Sequence, residues 1–196
     1  GSGVGVAGTS YTSAFAKVYS ATDDIKNNIF VNARSNAEGN LQKHYCIYLN
    51  DTGTLTSDYN VVSYPGTGGL PGAIGTTDYT DPNLWVSTTN LDSHSKVAAV
   101  NFNNATAGDL TISGVSVKDE DLKVPALASV ITDILGTTRN TKNTYAGAHE
   151  AALPFIFKAM QGTFSVGSAA NSDFATLSDA VKSVNDAITV GGDIVF

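Results

Sequence analysis

The sequence predicts an α+β fold: a mainly antiparallel β-sheet from the N-terminal half, packed with about three helices from the C-terminal half. Two observations carry that expectation. Up to residue 120 the apolar residues fall in short alternating runs separated by turn formers, whereas from residue 121 they recur at helical spacing. Strands first and helices afterwards argue for segregated layers and not for alternating β-α units. The 196 residues fit a single domain over 14–196, preceded by an arm of small residues, GSGVGVAGTSYTS, at 1–13. Within that domain 14–120 reads as β-rich, 121–190 as helical and 193–196 as a terminal strand.

The clearest strand is Lys43–Leu49, where β-branched and aromatic residues alternate and Asn50-Asp51-Thr52-Gly53 follows with turn chemistry. Residues 14–19 and 60–64 read as strands, and 25–33 as a strand or a short helix. Residues 65–83, rich in Gly, Pro and Thr, read as one long loop, a length usually reserved for function. Further strands are expected at 84–88, 96–102 and 109–117, the last with a bulge at Gly114.

The strongest helix expectation is 125–135. Leu127, Val130, Ile131, Ile134 and Leu135 follow the pattern of one buried face, between Pro125 and Gly136. A second helix is expected over 146–161, with Leu153, Ile156, Phe157 and Met160 on one stripe. A third follows the Asn171-Ser172 cap, with Phe174, Leu177, Val181, Val184 and Ile188 spaced alternately by three and four. No internal repeat is visible.

Composition excludes several partners. The net charge is −7, and the 11 Lys and Arg residues are scattered, so no window neutralises several phosphates. Nucleic acid and anionic membrane surfaces are therefore not expected as partners, and no apolar run reaches the ~20 residues that a spanning helix needs. Cys46 is the only cysteine, which rules out a disulfide within the chain. The low charged fraction, 15%, leaves a surface of Ser, Thr, Asn and Gly, which suits packing against copies of the same chain.

Each chemical motif is partial. Gly3-Val4-Gly5-Val6-Ala7-Gly8 spells G-x-G-x-x-G, yet no strand precedes it to form a dinucleotide site. Asp51-Thr52-Gly53 resembles the D-[ST]-G loop of aspartic proteases over three residues. Asn50 stands where that family has an apolar residue, and no second copy supplies the other carboxylate, so a hairpin turn is expected. His149-Glu150 begins H-E-x-x-H, but Leu153 occupies the second ligand position. Residues 189–196, TVGGDIVF, resemble the C-terminal signal of bacterial outer-membrane barrels, against a chain expected to carry three helices. Asn50 and Asn104 begin glycosylation sequons. No cofactor and no metal site follow from these patterns.

The functional expectation is a non-enzymatic structural subunit of a repetitive assembly, such as a virion capsid, decoration or tail-tube protein or an extracellular filament. It would join copies of itself through the N-terminal arm and the long loop, in an extracellular or virion setting. The second reading is a secreted or surface binding module. It would contact a glycan or protein surface through Tyr59, Tyr64, Tyr79 and Trp85, which cluster around the loop over 59–85. A third, an enzyme, requires Asp51, Asp58, Asp78, His94 or His149 to converge in the fold.

Overall fold

The computed structural model describes residues 11–37, 41–50, 53–117, 119–151, 160–163, 165–167, 176–178, 180–181 and 190–195. The chain divides into two compact units, Gly1–Ala152 and Leu153–Phe196. Strand dominates, with one α-helix of described bounds, which overturns the expected α+β layering.

The first unit is a parallel coil. β1 (Tyr11–Lys17), β2 (Thr22–Lys26) and β3 (Ile29–Val31) make one turn; β4 (Lys43–Leu49), β5 (Thr54–Asp58) and β6 (Val61–Ser63) make the next. β1 pairs with β4, β2 with β5 and β3 with β6, all parallel, and each residue lies opposite the one 32 positions later: Tyr11 with Lys43, Thr22 with Thr54, Ile29 with Val61. Parallel neighbours need a long crossover between them. Here the crossover is the rest of the turn, so the front of the protein is parallel where an antiparallel sheet was expected. The third turn begins with β7 (Gly69–Ile74), which lies parallel on β4. β8 (Thr77–Tyr79) folds back antiparallel on the far edge of β7. After α1 (Pro82–Thr89), β9 (Lys96–Val97) lies parallel on β6.

What aligns the turns is a corner between the second and third strands. Asn27 and Tyr59, 32 residues apart, both turn the chain with left-handed φ, 60° and 56°. Asn tolerates that conformation; for Tyr it costs on the order of 1 kcal/mol. The residues that follow, Asn28, Asn60 and Ser95, stack inside. The Asn60 carboxamide oxygen accepts from the Asn28 N–H (3.0 Å) and Nδ2 (3.2 Å), and Ser95 Oγ accepts from the Asn60 N–H (2.8 Å). Asn60 Nδ2 donates to the Ile25 carbonyl, Ser57 Oγ and Asp92 Oδ1. The repeat escapes sequence inspection because at the 32-residue offset its turns share only Thr22 with Thr54 and Asn28 with Asn60 among the residues compared, not a motif.

The two apparent errors in the middle of the chain have a common cause. The 65–83 segment, read as a loop, contains β7 and β8, and two of its glycines provide clearance. A Cβ on Gly72 would lie 2.7 Å from the Trp85 ring, and one on Gly69 would lie 2.3 Å from the Tyr64 carbonyl. The segment at 84–88, read as a strand, lies in α1. Asp81 caps it by accepting from the Asn83 N–H (2.8 Å), Pro82 opens it, and Asn90 ends it in the left-handed conformation. Trp85, 4% exposed, then fills the coil with Cys46, Ile47, Leu49, Val62 and Tyr79. Burying that ring contributes about 2–3 kcal/mol.

Beyond the coil come β10 (Phe102–Asn104) and β11 (Asp109–Ile112), a short antiparallel pair. Gly114 begins a 3-10 turn where a bulged strand was expected. β12 (Lys123–Pro125) and β13 (Asn143–Tyr145) pair antiparallel. This part returns to the first turn of the coil, where the Gly147 N–H donates to the Asn27 carbonyl (2.7 Å) and Asn27 Nδ2 donates to the Pro125 carbonyl (2.7 Å).

The expected helix at 125–135 is absent: Pro125 ends β12, and the rest is irregular, held by a bridge between Thr132 and Thr138. Asp133 Oδ1 accepts from the backbone N–H groups of Leu135 and Thr137 (both 2.8 Å), local bonds that compete with a helix. The β-branched Val130, Ile131, Thr132 and Ile134 lower the propensity further. Of the second helix, residues 146–151 are irregular and 160–163 form β14 (Met160–Thr163); the intervening residues lie outside those described. Of the third, Leu177, Ser178, Ala180 and Val181 are described and helical. Residues 193–195 of the expected terminal strand are part of β15 (Val190–Val195), parallel to β14 in the second unit, and 196 lies outside those described. Residues 11–13, expected in the arm, belong to β1, and 1–10 lie outside the described residues.

Asn60 is 1% exposed and joins all three turns, so Asn60→Ala leaves the Asn28 donors and the Ile25 carbonyl without their partner. Unpaired buried groups cost about 1–3 kcal/mol each. Chemical denaturation is expected to show a loss of roughly 3 kcal/mol, among the larger values for one substitution.

Candidate functional site

The four aromatic residues around 59–85 separate in the fold. Tyr79 and Trp85 meet edge to face inside the coil, with ring centroids 5.3 Å apart, and Tyr64 is half-buried against the same core. Their faces are spent on packing. Only Tyr59 lies at an outer corner, stacked on His94 at 4.7 Å with the rings 8° from parallel.

That corner also joins two of the ionisable candidates. Asp58 Oδ2 lies 2.7 Å from His94 Nδ1, and its Oδ1 accepts from the backbone N–H groups of His94 (2.7 Å) and Tyr59 (2.9 Å). Burial alone would raise the Asp58 carboxyl, but these bonds outweigh it and hold it below its ordinary value. The carboxylate thus clamps the second turn to the third. Asp78 is elsewhere, paired with Lys43 and accepting from the Tyr45 hydroxyl (2.7 Å). The Tyr45 hydroxyl is pushed upward by burial and by that carboxylate. Asp51 lies outside the described residues. His149 is placed apart, with Nδ1 buried and unpartnered, while its neighbour Glu150 is taken by Arg139. Burial raises the Cys46 thiol to about 12, so it is inert at neutral pH.

A concavity with mixed chemistry lies at the first-turn corner. A cleft of about 440 Å³ opens between residues 26–28 and the 127–148 segment. Lys26, Asn27 and Asn28 form one side, and Leu127, Val130 and Ile134 line the other. Arg139 lines it too, 8% exposed, and is fixed from several directions. Its Nη1 donates to Glu150 Oε2, Thr144 Oγ1 and the Tyr145 carbonyl (each 3.0 Å), and its Nη2 to the Gly147 carbonyl (2.7 Å). Asp133 stabilises the facing loop through the two N–H bonds above and a third from Glu150 N–H to Oδ2 (2.9 Å). Burial would raise its carboxyl, yet the backbone donors hold it below its ordinary value.

The sequence marks Leu127, Val130 and Ile134 only as one face of a helix, and none of the polar residues that line the cleft as a site. Arg139 and Glu150 are eleven residues apart without a motif, and Asn27 is legible only once the 32-residue register is known. Among the described residues no three His, Cys, Asp or Glu side chains are grouped to hold a metal ion. No helix among them is long and apolar enough to cross a membrane.

The fold of the first unit is built on a short parallel β-coil. Comparison finds no family model that matches the chain, and no curated protein or solved structure similar to it.

Because Asp133 titrates lower in the folded protein than in the unfolded chain, its contribution is complete above the unfolded value near about 4. It disappears as pH falls through the lower, folded value. Asp133→Asn keeps one acceptor oxygen of two, so the melting temperature at pH 7 is expected to fall. The drop between pH 7 and pH 3 is expected to shrink relative to the unsubstituted protein.

Proposed function

We propose that the chain is a structural building block that joins copies of itself by extending its β-coil at the first turn. The observation that supports this is the strand edge at the first turn. At the third turn, β8 covers the outer edge of β7 and α1 fills the interior with Trp85, although β5, β8 and β9 each keep one side without a strand partner among the described residues. At the first turn, β1 and β2 have partners on one side only among the described residues.

The backbone groups concerned are identifiable. The Lys17 carbonyl accepts from the Asn50 N–H, so Lys17, Phe15 and Ser13 face β4, and the alternate residues Thr12, Ala14 and Ala16 point their N–H and C=O groups away from it. Such a row is a template for another strand. Lys17 turns inward to pair with Asp23 at 2.5 Å, and Asp24 pairs with Lys26 at 3.1 Å. Charges at a strand edge restrain indiscriminate addition, which favours a matched partner such as the same edge of a second copy.

This reading keeps the assembly role expected from the composition and moves it from the long loop, which is internal to the coil, to the first-turn edge. Light scattering and electron microscopy of the full chain are expected to show pairs or larger assemblies. Ala14→Pro removes one outward N–H without touching the β1–β4 ladder, a change that edge strands tolerate. It is expected to leave the melting temperature within a few degrees and to shift the protein to monomers. A parent protein that stays monomeric at high concentration defeats the reading, as does an Ala14→Pro variant that assembles unchanged.

A further inference from the structure

We propose that Tyr11 and Tyr48 form a site of oxidative cross-linking, where a one-electron oxidant of the peroxidase class, with hydrogen peroxide, joins the two rings and fastens the first turn of the coil to the second. The site lies within one chain and does not rest on the assembly reading above.

The arrangement is particular to this pair. Tyr11 opens β1 and Tyr48 lies in β4, and their rings stack with centroids 4.5 Å apart and planes 29° from parallel. That separation is at the close end of the range for aromatic pairs. The two hydroxyls meet in a hydrogen bond, which together with burial pushes the Tyr48 hydroxyl up. Rings that stack with their hydroxyls together also bring together the carbons beside those hydroxyls, and these are the carbons that couple. Tyr45, the third member of the cluster, is set differently: its ring is tilted 54° from that of Tyr11 at 5.8 Å, and its hydroxyl donates to Asp78. Elsewhere Tyr59 stacks on His94 and Tyr79 meets Trp85, so neither has a tyrosine partner among the ring contacts of the described residues.

Exposure sets the order of events. Tyr11, 47% exposed, meets the oxidant, whereas Tyr48, 8% exposed, is covered. Tyr11 is oxidised first, takes an electron from Tyr48 across the stack, and is oxidised again. Each phenol has then given up one electron and its hydroxyl proton, leaving phenoxyl radicals with unpaired spin on the carbons beside the oxygen. One such carbon of each ring forms the new C–C bond. The hydrogen on each coupled carbon leaves as a proton and each oxygen regains one, which restores both aromatic rings and both O–H groups. In all the pair loses two electrons and two protons, and these reduce one hydrogen peroxide to two waters. Two radicals held in contact couple without a diffusional encounter, which favours this bond over bonds between chains. Tyr11 is the first residue of a strand paired on one side only among the described residues, so its ring has room to close the remaining gap.

The test treats the full chain with a haem peroxidase and hydrogen peroxide. Dityrosine fluorescence is expected in the band of single-chain mass on a denaturing gel. Mass spectrometry of the digest is expected to show the Tyr11 and Tyr48 peptides joined, with two hydrogen atoms missing. Tyr11→Phe and Tyr48→Phe keep the stacked rings and remove one phenol each. Either is expected to lower the single-chain fluorescence by about tenfold or more, with the melting temperature before oxidation within a few degrees of the parent. Tyr19→Phe, at an 81% exposed position, is expected to leave that fluorescence unchanged. Closing the loop from residue 11 to residue 48 restricts the unfolded chain as a disulfide does, so the cross-linked protein is expected to melt about 5 °C or more above the untreated one. Absence of single-chain dityrosine overturns the proposal. So does a cross-link that maps to Tyr19, Tyr45 or Tyr59, one that survives either Phe substitution, or a cross-linked protein that melts no higher than its parent.

Discussion

The first unit depends on one stack of amides and carboxylate inside a corner. Parallel strands hydrogen-bond equally well to a neighbour shifted by two residues, so backbone pairing alone does not fix how one turn sits on the next. Asn60 does: its oxygen is held by Asn28 below, and its nitrogen donates to Ile25, Ser57 and Asp92. Asp92 closes the network by accepting from Ser57 Oγ (2.7 Å), Ser95 Oγ (2.8 Å) and Trp85 Nε1 (3.0 Å). A buried carboxylate is tolerable only with such partners. Their removal costs more than their presence contributes, which makes the network a device for register more than for stability.

The same network ties the third turn of the coil to its middle. Trp85 is oriented by its bond to Asp92 and by Gly72, which clears space for the ring. Asp92 reaches the network through a left-handed φ of 59°, which an aspartate adopts more readily than most residues. The helix cap, the glycine in β7 and the Asn60 stack are thus one construction: shifting any one displaces the tryptophan that fills the interior.

How much of this could be read from residues alone follows from which interactions are local. The strand Lys43–Leu49 was legible to the residue, because both of its faces are buried and β-branched and aromatic side chains say so. The parallel coil was not. Its pairings join residues 25 to 35 positions apart, and the first two turns share only a threonine, at 22 and 54, and an asparagine, at 28 and 60. The apolar spacing of Leu127, Val130, Ile131, Ile134 and Leu135 is helical in pattern, but a helix also needs a surface to bury that face. Here Ile131, Ile134 and Leu135 are 70–72% exposed, and the Asp133 carboxylate takes the N–H groups a helix would use. In the candidate site, Tyr59 was visible by type, whereas Asn27 and Arg139 acquire meaning only from the return of the 120–148 segment to the first turn.

That return explains why the first turn is only partly open. The Gly147 N–H caps the Asn27 carbonyl, and Gly147 is favoured there because its φ of 88° is one that side-chain-bearing residues rarely adopt. The cap stops at the corner and leaves the outward N–H and C=O groups of β1 and β2 beside it. The segment that provides it must bridge from a flat corner to an irregular loop, and the bridge leaves the concavity that Arg139 and Asn27 line. An incomplete edge and a cleft are therefore two consequences of one packing arrangement.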